Sequence, residues 1–271
     1  MSGIAATAKI SIDAIRRHLV ATTMWQHLHV FDQVSSTNTR LDQLARAGAP
    51  GGTVVLAEAQ TEGRMRFGRE WYSPGGVNLY VSALLREPLT PSQAPVLSFI
   101  ASLAVSDAIK ALGLSPSIKW PNDVLIGRQK VAGALMECAT VGQAVDFLIL
   151  GVGVNVNVEL RDLRAALGPS SFAATSLAAA LGHPIDRNEF AASYLNHLDA
   201  WTRRFRAEGP GPVLGGWRDR DILTGRRVEA RGRHGSFDGR ALGLNDKGQL
   251  LVQPLIGAPR AVVDEEVRVL D

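Results

Sequence analysis

Two lysines are candidates for chemistry because lysine is rare in this chain. Of the 29 basic residues only five are lysine, and two of these, Lys119 and Lys130, lie within apolar, strand-like sequence. An ammonium group acts as a compact point charge on phosphate or carboxylate. The alternative is a pair of lysines that extend from strand ends into solvent, and the spacing alone fits it equally well. The remaining motifs therefore decide the interpretation.

A second candidate is the loop of residues 60–71, which combines glycine with arginine. Arg64 and Arg66 can offer guanidinium groups to phosphate or carboxylate. Gly63 and Gly68 let the chain turn tightly around a ligand. Taken alone, the segment would also fit a solvated basic surface loop.

The elements that must position these residues are indicated by hydrophobic periodicity and turn residues. The pattern predicts helices over residues 11–20, 37–47, 94–112, 176–181 and 187–207. It predicts strands over residues 53–57, 78–85, 117–126, 130–139 and 147–158, and short glycine-punctuated strands over residues 221–271. Short connections favour antiparallel pairing. The fold class is therefore α+β, with a mixed or mainly antiparallel sheet and helices covering one face.

Composition restricts the class of protein. With 271 residues, 46% of them hydrophobic, the chain can form one full catalytic domain and a small second one. No run of about 20 apolar residues predicts a membrane span, and residues 1–10 lack the pattern of a secretion signal. The single cysteine, Cys138, fits a reducing compartment, so we expect a cytoplasmic location. The net charge of +3 suits an anionic partner such as a triphosphate or a nucleic acid.

Four ordered motifs carry a resemblance to a known family. They are Ser36-Thr37-Asn38, the loop of residues 60–71, Lys119-Trp120-Pro121-Asn122-Asp123 followed by Lys130, and Gly151-Val152-Gly153-Val154-Asn155-Val156-Asn157. Together they resemble the biotin protein ligases (biotin–acetyl-CoA-carboxylase ligases). The resemblance implies a class II synthetase-like catalytic domain in residues 1–220, with a mixed sheet covered by helices, and a small C-terminal SH3-like β barrel in residues 221–271. The segment before the first motif is expected to be too short for the N-terminal DNA-binding domain that some members carry.

The reaction that the resemblance implies has two steps and uses ATP with Mg²⁺. The carboxylate of biotin attacks the α-phosphate of ATP to give biotinyl-5′-adenylate and pyrophosphate. A lysine amine of the biotin carboxyl carrier domain of acetyl-CoA carboxylase then displaces AMP. Neither step requires a nucleophile from the enzyme, so catalysis depends on positioning and on neutralising negative charge. We expect no resident metal site, because the six histidines show no metal-ligand spacing.

The family's motifs imply a role for each matching residue. The expected catalytic residues are Lys130, Arg64, Arg66 and Lys119. The expected biotin-binding residues are Ser36, Thr37, Asn38, Gln60, Arg64, Met65, Arg66, Lys130 and Gly133. The expected nucleotide-binding residues are Arg66, Arg69, Trp71, Lys119, Asn122, Asp123, Lys130 and Asn155. Alternatives stay open: helix capping for residues 36–38, core or lid packing for Trp71, and turn geometry for Asn155.

One residue departs from the family pattern. Met65 stands between two arginines where the family's loop carries a glycine. A methionine at positive φ would be strained, so we expect the loop to keep its path with negative φ and Met65 to pack over the ligand. The alternative is a loop that closes poorly.

Two other functions remain open from the sequence. A lipoate or octanoate ligase of the same fold group would share the reaction type; a related octanoyl transferase would use a cysteine nucleophile, but Cys138 is expected to be a buried, inert side chain. A nucleic-acid-binding module would use the basic residues Arg218, Arg220, Arg226, Arg227, Arg231, Arg233 and Arg240, but acidic residues interrupt that run. We therefore expect biotin, ATP and a carrier domain as partners, and neither DNA nor a membrane. The sequence leaves the oligomeric state open, and a homodimer is one of the states that it allows.

Overall fold

The computed structural model describes residues 8–87, 94–142, 144–168, 173–232, 235–263 and 265–271. Arg233, His234 and residues 1–7, on which parts of the sequence interpretation rest, lie outside the described residues.

Helices and strands alternate along most of the chain. The helices are Ile12–Arg16 (α1), Thr37–Arg46 (α2), Ala94–Ala111 (α3), Leu160–Leu167 (α4), Leu177–Leu181 (α5), Arg187–Glu208 (α6) and Gly211–Arg218 (α7). The strands are His27–Val34 (β1), Thr53–Gln60 (β2), Leu79–Leu85 (β3), Pro116–Lys119 (β4), Asp123–Ile126 (β5), Gln129–Val141 (β6), Ala144–Val154 (β7), Arg227–Gly232 (β8), Gly235–Leu244 (β9), Leu250–Pro254 (β10), Arg260–Val262 (β11) and Glu266–Val269 (β12).

The larger sheet has seven strands in the order β1-β2-β3-β7-β6-β5-β4. Strand β1 runs parallel to β2, and every other pair of neighbours is antiparallel. The predicted mixed sheet is therefore confirmed. Its centre is the long β6–β7 hairpin, in which Gly133 lies opposite Gly153 and Leu135 opposite Gly151.

Helices cover both faces of this sheet. On one face α3 packs on β4 to β7, and α6 and α7 pack on α3; this core also contains Val54 and Leu56 of β2. On the other face α2 buries Leu41 and Ala45 against a small cluster that contains Val55. The prediction that helices cover one face is wrong in this respect, because side chains alternate along a strand and both faces of β2, β3 and β7 are apolar.

Two local predictions are also wrong, and two elements were not predicted. The strand predicted over residues 117–126 is two strands, β4 and β5, because Pro121 lacks the N–H that a continuous ladder requires. Strand β1 and helix α4 were not predicted, since neither carries a long apolar pattern. Cys138 is exposed rather than buried, because the second half of β6 is only partly covered.

The smaller sheet is antiparallel, with strand order β11-β10-β9-β8-β12. Among the described residues no pairing joins its edge strands β11 and β12, so the SH3-like barrel stays a prediction. The sheet packs against the larger part of the chain, where the indole N–H of Trp120 donates to the carbonyl of Gly248 at 3.1 Å. The division at residues 220 and 221 also stays a prediction, and the backbone there bonds to Ile118 of β4.

Helix α3 is long and apolar enough to span a membrane by length and composition, with a mean hydropathy of 1.4. However, 72% of it is buried inside the protein. The helix lies against α6, α7 and the larger sheet. Its apolar character is therefore accounted for by its place in the core.

A buried ion pair ties the start of α6 to β2. The guanidinium of Arg187 is fully buried and donates to the carboxylate of Glu58 at 2.8 Å. It also donates to the carbonyls of Ala8 at 2.9 Å and Asn78 at 3.2 Å. The backbone N–H of Ile10 donates to the same carboxylate. Strand β2, the residue before β3, helix α6 and the N-terminal segment are thus linked through one charge pair.

The substitution Arg187→Met should destabilise the fold by about 3–5 kcal/mol, because it leaves the Glu58 carboxylate buried without its partner. The matched control is Arg204→Met, which removes an exposed pair between Arg204 and Glu208 on the same helix and should cost about 1 kcal/mol or less. Urea unfolding measures both free energies. Equal losses in the two variants would contradict the importance of the buried pair.

Candidate functional site

One pocket collects nearly all the residues singled out in the sequence. It lies over the β6–β7 hairpin, beneath the arginine loop of residues 63–71. The predicted residues that line it are Ser36, Thr37, Asn38, Gln60, Arg64, Met65, Arg66, Arg69, Trp71, Lys119, Asn122, Asp123, Lys130 and Gly133. Asn155 does not line it. Residues that are distant in sequence therefore meet at one place.

A buried network of neutral polar groups forms one wall of the pocket. The side-chain carbonyl of Gln60 accepts from the backbone N–H of Thr37 at 2.9 Å. The hydroxyl of Ser82 on β3 lies 2.8 Å from the Thr37 hydroxyl and 2.6 Å from the side-chain oxygen of Asn38. Asn38 in turn donates to the carbonyl of Leu135 at 3.3 Å. Since these groups are satisfied and buried, they hold fixed donor and acceptor positions for a neutral polar ligand.

Helix capping does not account for the first motif. Ser36 occupies the N-cap position of α2, but its side chain makes no capping hydrogen bond. Thr37 and Asn38 instead direct their side chains into the polar wall. The capping alternative considered from the sequence is therefore not supported.

Two glycines of β7 allow this geometry. A Cβ atom on Gly151 would lie 2.1 Å from the side-chain oxygen of Asn38, and one on Gly153 would lie 2.6 Å from the Trp71 indole nitrogen. Neither distance is possible for real atoms. The indole nitrogen of Trp71 is buried and has no hydrogen-bond partner among the described residues. The Gly-Val-Gly sequence therefore brings an amide and an indole directly against the strand backbone.

The two lysines lie beside Asp123 in the same pocket. The ammonium of Lys130 pairs with the carboxylate of Asp123 at 2.5 Å and lies 5.3 Å from the centre of the Trp71 ring. Within the described residues Lys119 makes no ion pair or hydrogen bond through its ammonium group. Burial lowers the pKa of Lys119, and Lys130 acts in the same direction, while Asp123 opposes them. Lys119 is therefore a partly desolvated cation that an anionic ligand would stabilise.

The arginine loop folds as a small hairpin. The N–H of Trp71 donates to the carbonyl of Gly63 at 2.8 Å, and that of Met65 donates to the carbonyl of Arg69 at 2.7 Å. Arg64 pairs with Glu137 of β6 at 3.0 Å. The loop thus has an ordered base and a definite path across the pocket.

Met65 has φ −117° and ψ 176°, an extended conformation, so its expected negative φ is confirmed. Its side chain lines the pocket. The positive φ values of the loop belong to the next residues, Phe67 at 62° and Gly68 at 69°. The loop therefore accommodates methionine without strain at position 65.

The sequence did not predict that the C-terminal sheet contributes to the pocket. Glu265, Glu266 and Val267, at the start of β12, line it. Glu266 also pairs with Arg69 of the loop at 3.0 Å. More than 190 residues separate these partners. A local motif carries no signal of such a contact.

Other candidates have structural partners outside the pocket. The side chain of Asn155 donates to the carbonyl of Thr175 at 3.0 Å, which holds the end of β7 to the segment before α5.

Among the described residues no group of three or more His, Cys, Asp or Glu side chains could hold a metal ion.

Three of the C-terminal arginines each form an ion pair with a nearby carboxylate. Arg220 pairs with Asp107 at 2.6 Å and Arg231 with Glu229 at 2.9 Å. Arg218 pairs with Asp246 at 3.3 Å. These three arginines therefore form local ion pairs rather than one basic patch.

Comparisons with known proteins agree with this architecture. The model of the biotin/lipoate A/B protein ligase family matches residues 30–155. The chain is 36% identical over 246 residues to the bifunctional ligase/repressor BirA of Bacillus subtilis, covering 90% of this chain and 75% of that protein. It is 34% identical to the biotin–acetyl-CoA-carboxylase ligase of Paracoccus denitrificans, covering 82% and 92%. The biotin protein ligase of Aquifex aeolicus, solved in complex with biotin and ATP, aligns with a TM-score of 0.75 at 29% identity, covering 90% and 99%.

The substitution Gly153→Ala should destabilise the protein by about 1–3 kcal/mol and shift its tryptophan fluorescence, because the new methyl group displaces the Trp71 ring. Gly215→Ala in α7 is the control, since a Cβ there meets no atom within 4 Å. Alanine in that helix should be neutral or stabilising by up to about 1 kcal/mol. Urea unfolding followed by fluorescence checks both. An unchanged spectrum and stability in Gly153→Ala would contradict the close contact.

Proposed function

Because the chain belongs to the biotin protein ligase family, we propose that it is a biotin–acetyl-CoA-carboxylase ligase. It activates biotin with ATP to biotinyl-5′-adenylate and transfers biotin to a lysine of the biotin carboxyl carrier domain. The observation that carries this proposal is the pocket itself, in which a neutral polar wall adjoins a group of cations. The ligase of Paracoccus denitrificans, similar over 92% of its length, supports the same assignment.

The polar wall suits the ring system of biotin. A ureido group is neutral and offers both donors and acceptors, which the Thr37, Asn38 and Gln60 network can match. Ser36 and Met65 line the same pocket. We assign these five residues to biotin.

The cationic group suits the reacting phosphate and carboxylate. Along the β6–β7 hairpin Lys130 lies beside Gly133 and the polar wall lies beside Leu135. Two residues of strand correspond to about 7 Å, a separation that suits a ligand with a neutral ring at one end and a carboxylate at the other. We therefore assign Lys130, Lys119, Arg64 and Arg66 to the reacting groups, and Arg69, Trp71, Asn122 and Asp123 to the nucleotide.

In adenylation, negative charge accumulates on the α-phosphate as the biotin carboxylate attacks and pyrophosphate leaves. Lys130, held in place by Asp123, neutralises that charge. Lys119 supplies a second cation, which forms no ion pair with a carboxylate among the described residues. The amine of the carrier lysine then attacks the acyl carbonyl, AMP leaves, and an amide forms.

Mg²⁺ accompanies ATP in this proposal. The pocket offers the Asp123 carboxylate, already paired with Lys130, and the amide of Asn122, whose N–H₂ group bonds to the carbonyl of Ala134. This small donor set suits an ion that keeps phosphate oxygens and water as most of its ligands. The ion would neutralise phosphate charge.

Three further points belong to the proposal. The five antiparallel strands β8–β12 support an SH3-like C-terminal barrel. A single exposed cysteine supports a reducing, cytoplasmic location. The position of Glu265, Glu266 and Val267 in the pocket supports a role for this sheet in enclosing the nucleotide.

The protein should release pyrophosphate from Mg-ATP when biotin is present and should then biotinylate a purified carboxyl carrier domain. The expected product is an amide on the carrier lysine, detected by mass spectrometry. Omitting biotin is the control. Pyrophosphate release that follows lipoate and ignores biotin would contradict the proposal and favour a lipoate ligase.

The substitution Lys130→Ala should lower the adenylation rate by about 10²–10³ while the protein stays folded, because the lost charge acts mainly in the transition state. Lys110→Ala removes an exposed lysine of α3, far from the pocket, and serves as control. Single-turnover measurement of adenylate formation compares them. A wild-type rate in Lys130→Ala would remove Lys130 from the catalytic group.

As the pH rises, affinity for Mg-ATP should begin to fall before the pH reaches 10.5, the ordinary lysine pKa. The reason is that Lys119 binds phosphate only when protonated, and burial lowers its pKa. Bound phosphate favours the ammonium form, so formation of the complex should take up protons at pH values near the lowered pKa of free Lys119, where that side chain is partly neutral. Calorimetry in buffers of different ionisation enthalpy measures the uptake. In Lys119→Met this part of the pH dependence should disappear; a parallel decline in both proteins would contradict the assignment.

A further inference from the structure

Phe67 occupies an unfavourable backbone conformation at the edge of the pocket. Its φ of 62° and ψ of 27° lie in the left-handed region, and among the described residues it is the one non-glycine residue with positive φ. A residue with a Cβ atom is disfavoured in this conformation, and an aromatic side chain does not reduce that cost. Glycine would adopt this conformation without that cost.

Burial does not account for the phenylalanine either. Its side chain lines the pocket and is 51% exposed. An exposed ring contributes little hydrophobic stabilisation. Some other interaction must therefore account for a phenylalanine in this position.

The ring contacts two arginines of the same pocket. The guanidinium carbon of Arg66 lies 4.9 Å from the ring centre, and that of Arg69 lies 6.0 Å from it. Arg66 also lies 5.9 Å from the ring of Trp120, so aromatic rings flank its guanidinium. A guanidinium packed against a ring can still donate from the N–H groups at its edge to oxygen atoms of an anion.

We propose that Phe67 is a positioning residue, whose ring holds the guanidinium groups of Arg66 and Arg69 over the pocket so that their N–H groups meet the phosphates of the nucleotide. The inference rests on the proposed function for the identity of that anion. It does not rest on it for the contacts between the ring and the two guanidinium groups, which are present without ligand; Arg69 is also held by its ion pair with Glu266.

Three variants separate the effect of the ring from the cost of the backbone conformation. Phe67→Leu keeps a large side chain with the same backbone cost but removes the π face. Phe67→Tyr keeps the ring. Phe67→Gly removes both the ring and the backbone cost. Because the residue is exposed and outside the core, Phe67→Leu and Phe67→Tyr should unfold in urea like the wild type, and Phe67→Gly should be at least as stable.

The first measurement needs no ligand. Relaxation of the Nε–H group of Arg66 by NMR should show an ordered side chain in wild type and Phe67→Tyr, and a mobile one in Phe67→Leu and Phe67→Gly. The Nε–H group of Arg69 should change less, because that side chain also pairs with Glu266. The second is the dissociation constant of Mg-ATP by calorimetry. It should rise about 3- to 10-fold in Phe67→Leu and Phe67→Gly and change less than about 2-fold in Phe67→Tyr.

The outcomes are distinguishable from those that test the proposed function. Equal arginine mobility in all four proteins, or wild-type ATP affinity in Phe67→Leu or Phe67→Gly, would overturn the inference. If the arginines lose order in Phe67→Leu and Phe67→Gly but the wild type does not bind Mg-ATP, positioning by the ring stands and the proposed function fails.

Discussion

The pocket depends on the absence of side chains at two positions of β7. Gly151 and Gly153 face the space that Asn38 and Trp71 occupy, and a methyl group at either position would overlap atoms of those residues. Asn38 is thereby held in the polar wall, and Trp71 is held beside Lys130. The hairpin partner β6 places Leu135 and Gly133 opposite the two glycines. One strand thus sets both the neutral and the charged part of the site.

The two lysines of the pocket differ in their surroundings: Lys130 is oriented by a carboxylate, and Lys119 is not. Lys130 is oriented by Asp123, whereas Lys119 is desolvated without an ion pair within the described ranges. Such an arrangement stabilises negative charge that appears during a reaction, because the protein groups need not reorganise when it appears. It also accounts for the use of lysine at these two positions in a chain whose basic residues are mostly arginine.

Much of this site could be predicted from the sequence because its residues lie in short, distinctive segments. The arginine loop and the two lysines carry a local signal of residue type and spacing. What could not be predicted depends on long-range packing: the face of the sheet that α2 covers, and the approach of Glu266 to Arg69. Cys138 was misplaced because an apolar strand pattern does not show where the covering helices end. Asn155 lies in a motif but bonds to Thr175, which the spacing could not indicate.

The central claim is that this pocket activates biotin rather than a related acid. The most direct test incubates the protein with Mg-ATP and equal concentrations of biotin and lipoate, without carrier, and identifies the bound adenylate by mass spectrometry. The account predicts biotinyl-5′-adenylate as the retained species, since the polar wall matches a ureido ring and lipoate has none. Retention of lipoyl-adenylate, or of no acyl-adenylate, would contradict it.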